Sequence, residues 1–579
     1  MDLKTRIDIA AGRKPADLVL KNGRIVNVLS CEIHDGDVAI AGDRIAGIGE
    51  YAGKETVDLA GQYICPGFID GHVHIESSML SVPEFAKVVV AHGTTAVITD
   101  PHEIANVMGA EGVRFMLSSS KYCPVYVYFM ASSSVPASRF ETAGGELRAL
   151  DLHPLLADRW VLGLAEVMNF RGVVAGDPEC LDKLLLSDSR PIDGHAPGLS
   201  GRALCAYVTA GISTDHECTT LEEAREKLRM GMTIQIREGS QARNLDALLP
   251  LVQPDTLDCF MFVTDDKDVD DLLGEGNVDH IIRRAIASGM NPVHAIKLAT
   301  INPARHYGLD HLGAVTPHRL ATLTILDDLE RCHVSRVYQA GRLVYADGQT
   351  LDPDESLRRP QRLRSSINVQ WLEPEDFAIA APHDGEFDVH VIEVMEDRID
   401  TRHLIERVTA RGGHFHADPR RDLCKLAVIE RHQASGDIGL GFVRGFGFTS
   451  GAIASSVGHD SHNLIVAGTN DQDMYTAAVR LVKIRGGFCV VKDGAVLADV
   501  PLPIAGLMSN EDAPTLSAQL RKLHEAAQAL DGKLRRPFMA LSFLSLSVIG
   551  ELKLTDQGLF DVSEFKLIDL VAAARSGSQ

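Results

Sequence analysis

The chain of 579 residues holds 57 Lys and Arg against 79 Asp and Glu, which gives a net charge of −22. This acidic balance argues against a nucleic-acid backbone or an anionic membrane surface as the main partner, and it fits a small neutral or cationic substrate better. The length predicts roughly two to four domains, and a hydrophobic fraction of 45% is that of an ordinary globular protein rather than a disordered or membrane protein.

Short strands separated by polar residues and glycine open the chain, at 18–50. A similar pattern returns much later, at 322–344. We therefore predict that residues 1–62 and 308–360 pair to form one small β-sandwich, with another domain inserted between them.

Eight apolar runs alternate with helical patterns in the inserted segment. They lie at 63–69, 94–99, 124–131, 161–166, 191–193, 211–214, 232–236 and 259–264. Two α/β folds share this alternation, a (β/α)8 barrel and a doubly wound open sheet, and periodicity alone does not separate them.

The residues that end or follow these runs favour the barrel, because functional side chains of a barrel lie at the C-terminal ends of several strands. After one strand, a lone His or acid is most often a cap or turn residue. Here a whole series of such residues occurs: His72, His74, Asp100, His102, Glu166, His195, His216, Glu217, Arg237, Glu238, Asp265 and Asp266. The series predicts a TIM-type (β/α)8 barrel over 63–307.

His72 and His74 stand two residues apart at a strand end, so both imidazoles point to the same side and can grip one cation. Alone, an H-x-H is a weak signal in a chain with 23 histidines. Together with the other strand ends, however, four imidazoles and two carboxylates are enough to hold two divalent cations around a shared hydroxide. This chemistry is metal-assisted hydrolysis, in which Asp265 takes the hydroxide proton and passes it to a leaving group.

These strand-end motifs resemble the amidohydrolase superfamily, and the residues around the first histidine pair narrow the resemblance to its adenine deaminases. Nearly the whole length is similar to that family. The segments that carry the resemblance are PGFIDGHVHIESSM at 66–79, TDPHEIANV at 99–107, DGHAP at 193–197, TDHE at 214–217, VTDD at 263–266, GFTSGAIASSVGHDSHN at 447–463 and PFMALSF at 537–543.

The resemblance implies six metal ligands. By this resemblance, His72, His74 and Asp265 hold one ion. His195 and His216 hold the other, and the carboxylate of Glu166 bridges the two ions. Many amidohydrolases bridge the two metal ions with a carbamylated Lys. This chain reads LAEVM at 164–168, so no lysine is available at that position. The family usually binds iron or manganese, Mn(II) or Fe(II), and the same ligand types also suit Zn(II).

The resemblance also implies the reaction, hydrolytic deamination of adenine to hypoxanthine and ammonia, with the hydroxide attacking C6 of the purine. Asp265, Glu217 and Glu166 are the candidate catalytic residues. Glu217 is the candidate proton donor, because Ala196 rather than Glu follows His195. The candidates for binding the substrate are Asp100, His102, Arg237 and His459.

Two other hypotheses stay open at this point. Barrel and ligands are shared widely across chemistries, so the substrate can be another aminopurine or a cyclic amide. A non-catalytic metal or purine sensor would need a lost ligand, and none of the six is missing.

Residues 361–579 are predicted to form a separate α/β domain with strands at 388–394 and 424–430, after a linker at 353–368. A second H-x-H, His414 and His416, lies there, and we do not expect a metal site because no series of acidic strand ends accompanies it. The segment 459–463 either covers the pocket of the barrel or is a loop or cap within its own domain. The apolar run 539–549 predicts core or interface rather than a membrane element.

Ten cysteines without C-x-x-C spacing and a start without an apolar segment indicate a reducing, cytoplasmic setting with no targeting segment. The expected partners are adenine and water, with no nucleic acid and no membrane. We also expect a homo-oligomer, most simply a dimer.

Overall fold

The computed structural model describes residues 1–187, 189–358, 363–396, 398 and 400–572. A short helix and five strands come first: α1 (Leu3–Ala10), β1 (Ala16–Asn27), β2 (Glu32–Ala41), β3 (Arg44–Ile48), β4 (Gly53–Asp58) and β5 (Tyr63–Pro66). Gly67 separates β5 from the next strand, so the apolar run predicted at 63–69 is divided between two strands.

The inserted segment forms a closed barrel of parallel strands. Nine short strands fill its eight positions: β6 (Phe68–His74), β7 (Thr94–Thr99), β8 (Tyr126–Ala131), β9 (Val161–Val167), β10 (Ile192–Gly194), β11 (Thr214–Asp215), β12 (Thr233–Arg237), β13 (Phe260–Val263) and β14 (Asp265–Asp266). Between β10 and β11, the Ser213 amide donates to the Ile192 carbonyl at 2.9 Å. The ring closes where Asp265 of β14 pairs with Val73 of β6. The barrel prediction is therefore confirmed and the open sheet is excluded.

Helices connect the strands, as the alternation in the sequence predicts. They are α2 (Val82–Ala91), α3 (His102–Ser119), α4 (Ala149–Leu156), α5 (Phe170–Ala175), α6 (Pro178–Leu186), α7 (Gly201–Thr209), α8 (Leu221–Arg229), α9 (Leu245–Leu248), α10 (Val269–Gly274), α11 (Val278–Ala287), α12 (Pro292–Leu298) and α13 (Ile301–His306). Helix α8 shows why these segments are helical. Thr220 caps its first turn by accepting from the Glu223 amide at 3.3 Å, and its acidic first turn and basic last turn suit the helix dipole.

The chain then returns to the N-terminal strands. It adds β15 (Leu323–Asp328), β16 (His333–Gln339), β17 (Arg342–Ala346) and β18 (Gln349–Thr350). Strand β5 joins the two pieces, because Ile64 pairs with Ile25 of β1 on one side and with Ile325 of β15 on the other. The result is one nine-stranded sheet, which confirms that residues on both sides of the barrel pair with each other.

The last part of the chain is an α/β unit, as predicted. Its ten-stranded sheet contains β19 (Ile379–Ala380), β20 (Gly385–Val394), β21 (Thr401–Arg411), β22 (His414–Phe415), β23 (Leu423–Ile429), β24 (Ile438–Arg444), β25 (Ala452–Ser455), β26 (Leu464–Gly468), β27 (Gly487–Lys492) and β28 (Ala495–Pro501). A smaller sheet and three helices complete it: β29 (Leu552–Thr555), β30 (Gly558–Asp561), β31 (Lys566–Ile568), α14 (Asp471–Ile484), α15 (Ala513–Gln528) and α16 (Pro537–Ser542).

The C-terminal unit packs against the barrel through apolar and polar contacts. Helix α15 packs on α10 and α2, and one apolar cluster includes both Phe85 of the barrel and Met508. The Ser509 amide donates to the Met79 carbonyl at 2.7 Å, just beyond the first barrel strand. The domain limits predicted at 62/63 and 307/308 stay predictions, and the limit at 360/361 lies outside the described residues.

Candidate active site

Polar side chains from seven strands meet at one end of the barrel. Because all barrel strands are parallel, their C-terminal ends open at the same mouth. The sequence-predicted residues gather there, each at most 8% exposed: His72, His74, Asp100, His102, Glu166, His195, His216, Glu217, Arg237 and Asp265. His459 joins them from the C-terminal unit and is 6% exposed.

The first histidine pair faces two carboxylates. Nε2 of His74 lies 3.2 Å from Oδ1 of Asp265 and 3.3 Å from Oε1 of Glu166. Nε2 of His72 lies 3.6 Å from the same Asp265 oxygen and 3.9 Å from the same Glu166 oxygen. Nδ1 of His74 is 3.0 Å from the Asp100 carbonyl, an acceptor, which leaves the Nε2 lone pair free for a cation.

The second histidine pair faces the other oxygen of Glu166. Nδ1 of His195 lies 2.9 Å from Oε2 of Glu166, and Nε2 of His216 lies 3.3 Å from it. Glu166 therefore stands between the two pairs with one oxygen turned to each. This is the arrangement that a carboxylate bridging two cations requires.

The donor set fits divalent metal ions. Imidazole nitrogens and carboxylate oxygens are the ligand types that Fe, Mn and Zn share. Nε2 of His72 is buried and has no hydrogen-bond partner among the described residues, as expected of a nitrogen kept for a metal. Burial disfavours ionisation of Glu166, but hydrogen bonds from His195, His216 and His74 outweigh it and hold its pKa well below the usual range. These residues can therefore hold divalent cations.

A buried ion-pair network lies beside the ligands. Both terminal nitrogens of Arg237 donate to Glu217 at 2.8 Å, and one of them also donates to Oδ2 of Asp265. Burial of Glu217 is outweighed by the charges of Arg237 and His195, so its pKa lies well below the usual range. The guanidinium of Arg237 is thus already paired with two carboxylates, and Glu217 is an ionised carboxylate that accepts hydrogen bonds. The substrate-binding role of Arg237 and the donor role of Glu217 stay predictions.

Asp100 and His102 act as one unit at the cavity wall. Oδ2 of Asp100 lies 3.1 Å from Nδ1 of His102, and the other carboxylate oxygen accepts from Ser132 at 2.5 Å. A neutral imidazole that donates from Nδ1 keeps a free lone pair at Nε2, and a charged one presents a donor there. Nδ1 of His102 is also 3.6 Å from Oε1 of Glu166. Of the two, His102 lines the cavity. The substrate-binding roles of Asp100 and His102 stay predictions.

The C-terminal unit reaches the site through the loop between β25 and β26, residues 456–463. Glu103, at the start of α3, accepts from Nδ1 of His459 at 2.5 Å and from Nε2 of His462. The Gly458 amide donates to Nδ1 of His462, so the proton of this imidazole is on Nε2 and points at Glu103. This trio is a hydrogen-bonded clamp between two units. Of the two interpretations of 459–463, the one that covers the barrel pocket is confirmed.

A cavity of about 60 Å³ lies between the barrel mouth and this loop. Its roof comes from the C-terminal unit, with Phe543 stacked on His459 at a centroid distance of 4.5 Å. Four residues of the predicted run 539–549 line the cavity: Phe543, Leu546, Val548 and Ile549. The run is therefore an interface, as predicted. No helix in the described ranges is long and apolar enough to cross a membrane.

The second H-x-H begins in β22, which lies between β19 and β21 in the ten-stranded sheet. His414 and His416 are both exposed, and their ring nitrogens contact the backbone carbonyls of Gly412 and Arg411. No acidic side chain is among these contacts. The expectation that they hold no metal stays a prediction.

Sequence reasoning missed several residues that shape the site: Glu103, Arg431, Asp460 and Phe543. Two signals were available. Glu103 directly follows the candidate His102 in the TDPHEIANV motif, and Asp460 directly follows His459. Arg431 gave no such signal. It is fully buried and donates to the carbonyls of His462 and Ala505, so it supports the loop from beneath.

Comparisons with known proteins agree with the geometry. The fold and the strand-end ligands define a metal-dependent hydrolase of the amidohydrolase class, and residues 63–344 match the family model described as "Amidohydrolase family". Residues 398–566 match the model described as "Adenine deaminase C-terminal domain".

Relatives extend the likeness to the full chain. A protein of Geobacillus kaustophilus named adenine deaminase is 49% identical, over 98% of this chain and 99% of the relative. An adenine deaminase of Dehalococcoides mccartyi strain 195 is 46% identical over the same shares. "Adenine deaminase 2" of Carboxydothermus hydrogenoformans is 44% identical over 98% and 99%. The chain belongs to the adenine deaminase family.

Proposed function

We propose that the protein deaminates adenine hydrolytically to hypoxanthine and ammonia. One observation carries the proposal: Glu166 places one oxygen at each of two histidine pairs, and its side chain lines the cavity at the barrel mouth. The names of relatives that match the whole chain supply the substrate, adenine.

Six residues would hold two divalent ions. His72, His74 and Asp265 would take one, His195 and His216 the other, and Glu166 would bridge them. We propose Mn(II) or Fe(II) as the physiological ions, with Zn(II) as an alternative that the ligand types also accept. When bound, such ions acidify a water molecule and supply the nucleophile at neutral pH.

Asp265 is the general base in this proposal. Arg237 holds Oδ2 of Asp265, which leaves Oδ1 facing the histidine pair, where the attacking water would give up its proton. The same carboxyl group then delivers the proton to the amine that leaves C6. Asp265 adopts a φ of +60°, a strained backbone conformation for a residue with a side chain and one often found at active sites.

His102, oriented by Asp100, and His459, held by Glu103, would bind the purine from the two sides of the cavity. Both lie on the cavity wall, one from the barrel and one from the C-terminal unit. Glu217 is the predicted donor for the protonation of a ring nitrogen during attack, and because its carboxylate is ionised and accepts from Arg237, it would first have to take up a proton.

The test is reconstitution of the purified full-length protein with Mn(II) or Fe(II), followed by measurement of ammonia and hypoxanthine from adenine. A panel of other aminopurines and cyclic amides is run in parallel. We expect adenine to be the preferred substrate by a wide margin. Release of ammonia from another base with adenine untouched would overturn the proposal. The homodimer and the cytoplasmic location stay predictions, and sedimentation of the reconstituted enzyme tests the first.

A further inference from the structure

Asp460 is a buried carboxylate that no part of the proposed chemistry uses. It lies in the 456–463 loop of the C-terminal unit and is 4% exposed. Its side chain lines the same cavity as His102 and Glu166, and it reaches this cavity from the C-terminal unit.

The carboxylate of Asp460 lacks the partners that buried acids normally have. Its Oδ2 atom has no hydrogen-bond partner within the described part of the chain. The nearest cationic group is His102, whose Nε2 lies 3.9 Å from Oδ1, beyond hydrogen-bond distance. A buried charge without hydrogen bonds is costly and is retained only where something compensates for it.

The surrounding contacts prevent Asp460 from moving out to solvent. On one side His459 is bound to Glu103, and on the other His462 is bound to Glu103 and Arg431. Beyond them, the Asn463 amide donates to the Thr142 carbonyl at 2.9 Å. Asp460 is thus a fixed hydrogen-bond acceptor, directed at a cavity and waiting for a donor from outside the protein.

We propose that Asp460 accepts a hydrogen bond from the ring N–H of the substrate's imidazole edge, and that this contact selects the free base over nucleosides. This inference rests on the proposed function. An unsubstituted purine carries one N–H on its five-membered ring, shared between N7 and N9. In a nucleoside the sugar occupies N9 and this donor is gone.

Attack at C6 explains why the acceptor comes from the C-terminal unit. The six-membered ring must face the ligands at the barrel floor, so the five-membered ring faces the roof. Asp460 is the acidic side chain that the 456–463 loop brings to that roof. A carboxylate discriminates strongly here, because a site built to pair with a donor rejects an analogue that lacks it.

The test compares ligands with and without the ring N–H on the Mn(II)-loaded full-length protein. Affinities for hypoxanthine and 9-methylhypoxanthine, which are not consumed, are measured by calorimetry, and kcat and KM are measured with adenine and 9-methyladenine. In Asp460→Ala we expect hypoxanthine affinity to fall by about 10- to 150-fold, the loss of one charged hydrogen bond. We expect KM for adenine to rise by a similar factor, and kcat and the metal content to stay at their wild-type values. Binding of the 9-methyl ligands stays weak and unchanged.

Two further variants separate recognition from structure. Asp460→Asn keeps a carbonyl acceptor and should fall between wild type and Asp460→Ala. Asp473 is the matched control, since it is 2% exposed but satisfied by the Gly494 amide at 2.7 Å and Asn470 at 2.8 Å. Asp473→Ala should lower Tm and leave ligand affinity intact, whereas Asp460→Ala should leave Tm equal or higher, because it removes an unpaired charge.

The outcomes are distinguishable. If wild type deaminates adenine and Asp460→Ala keeps both KM and hypoxanthine affinity, this inference fails and the proposed function stands. Equal losses for unsubstituted and 9-methyl ligands, or loss of metal, would likewise overturn it. If wild type releases no ammonia from adenine, the proposed function fails, and the hypoxanthine series still decides whether Asp460 recognises a ring N–H.

Discussion

Glu166 connects the two halves of the site at the scale of a single residue. Its two oxygens lie 3.3 Å from His74 and 2.9 Å from His195, so its charge is shared by both histidine pairs. Four neutral imidazoles cannot balance two divalent cations by themselves. In the proposed site, the carboxylates of Glu166 and Asp265 would provide that balance.

We therefore predict that Glu166→Gln loses metal together with activity. The amide keeps the size of the side chain but removes the charge between the two cations. Elemental analysis of the purified variant should show well under the wild-type metal content, and adenine turnover should be lost. Glu179, an exposed acid of α6, provides a matched Glu→Gln control that keeps both. Full metal content in the Glu166→Gln enzyme would show that Glu166 does not bridge two metal ions.

Asp265→Asn should behave differently. Its amide oxygen can still coordinate weakly and can still accept from Arg237, but it cannot take a proton from the attacking water. Loss of a general base typically lowers the rate by about 10²–10⁴-fold. Metal content should largely hold while kcat collapses, and the two measurements are made on the same preparation. Near-normal turnover would exclude Asp265 as the base.

The gathering of the proposed ligands at one end of the barrel was predictable from sequence because it depends on local rules. Alternation along a strand puts His72 and His74 on one side, and parallel strands end at one mouth. The pairing of Arg237 with Glu217 was not predictable from sequence, because it joins neighbouring strands whose register only the folded barrel sets. Glu103 was missed for the same reason, because its partners come from the other end of the chain.

At the scale of elements, the 456–463 loop depends on its clamp. Glu103→Gln replaces one of the two acceptor oxygens with an NH2 group. That NH2 group then faces the N–H of His459 or His462, which the carboxylate oxygen had accepted. Loss of a buried charged hydrogen bond costs about 1–3 kcal/mol. We expect a lower Tm and a higher KM for adenine, with metal content unchanged, measured by calorimetry and steady-state kinetics. Loss of metal would instead place Glu103 among the ligands.

The second H-x-H offers the opposite prediction. The ring nitrogens of His414 and His416, two exposed residues, contact the backbone carbonyls of Gly412 and Arg411. The double variant His414→Ala/His416→Ala should keep the metal content, kcat and KM of wild type, within error. Loss of one bound metal ion per chain in the double variant would reveal a further metal site at these two histidines.

The strands themselves were predicted with mixed success, for physical reasons. The eight apolar runs were found because buried parallel strands are continuously apolar. The boundary inside 63–69 was missed, since Gly67 separates two strands that are both buried. The order of the ten-stranded sheet was beyond prediction, because β23 lies between β24 and β26, and β20 pairs with β24 across a distance in sequence.

At the scale of the whole molecule, the active site is a joint product of two units. The barrel supplies the proposed ligands, and the C-terminal unit supplies His459, Asp460 and Phe543 to the cavity wall. Arg431 and the Glu103 clamp hold the roof in place. Neither unit alone encloses the cavity, so metal binding and substrate binding should separate when the chain is shortened.

A chain that ends at Arg358 tests this dependence. It would expose the apolar surface of α2 and α10 that α15 now covers, and it would open the cavity to water. We expect little soluble protein, and no ammonia from adenine in the fraction that stays soluble. The matched control is the full chain with a protease site inserted in the predicted linker, 353–368, and cut after folding. Its two pieces should stay together through the buried interface and keep activity. Full activity in the shortened chain would show that the barrel works alone and that the roof is dispensable.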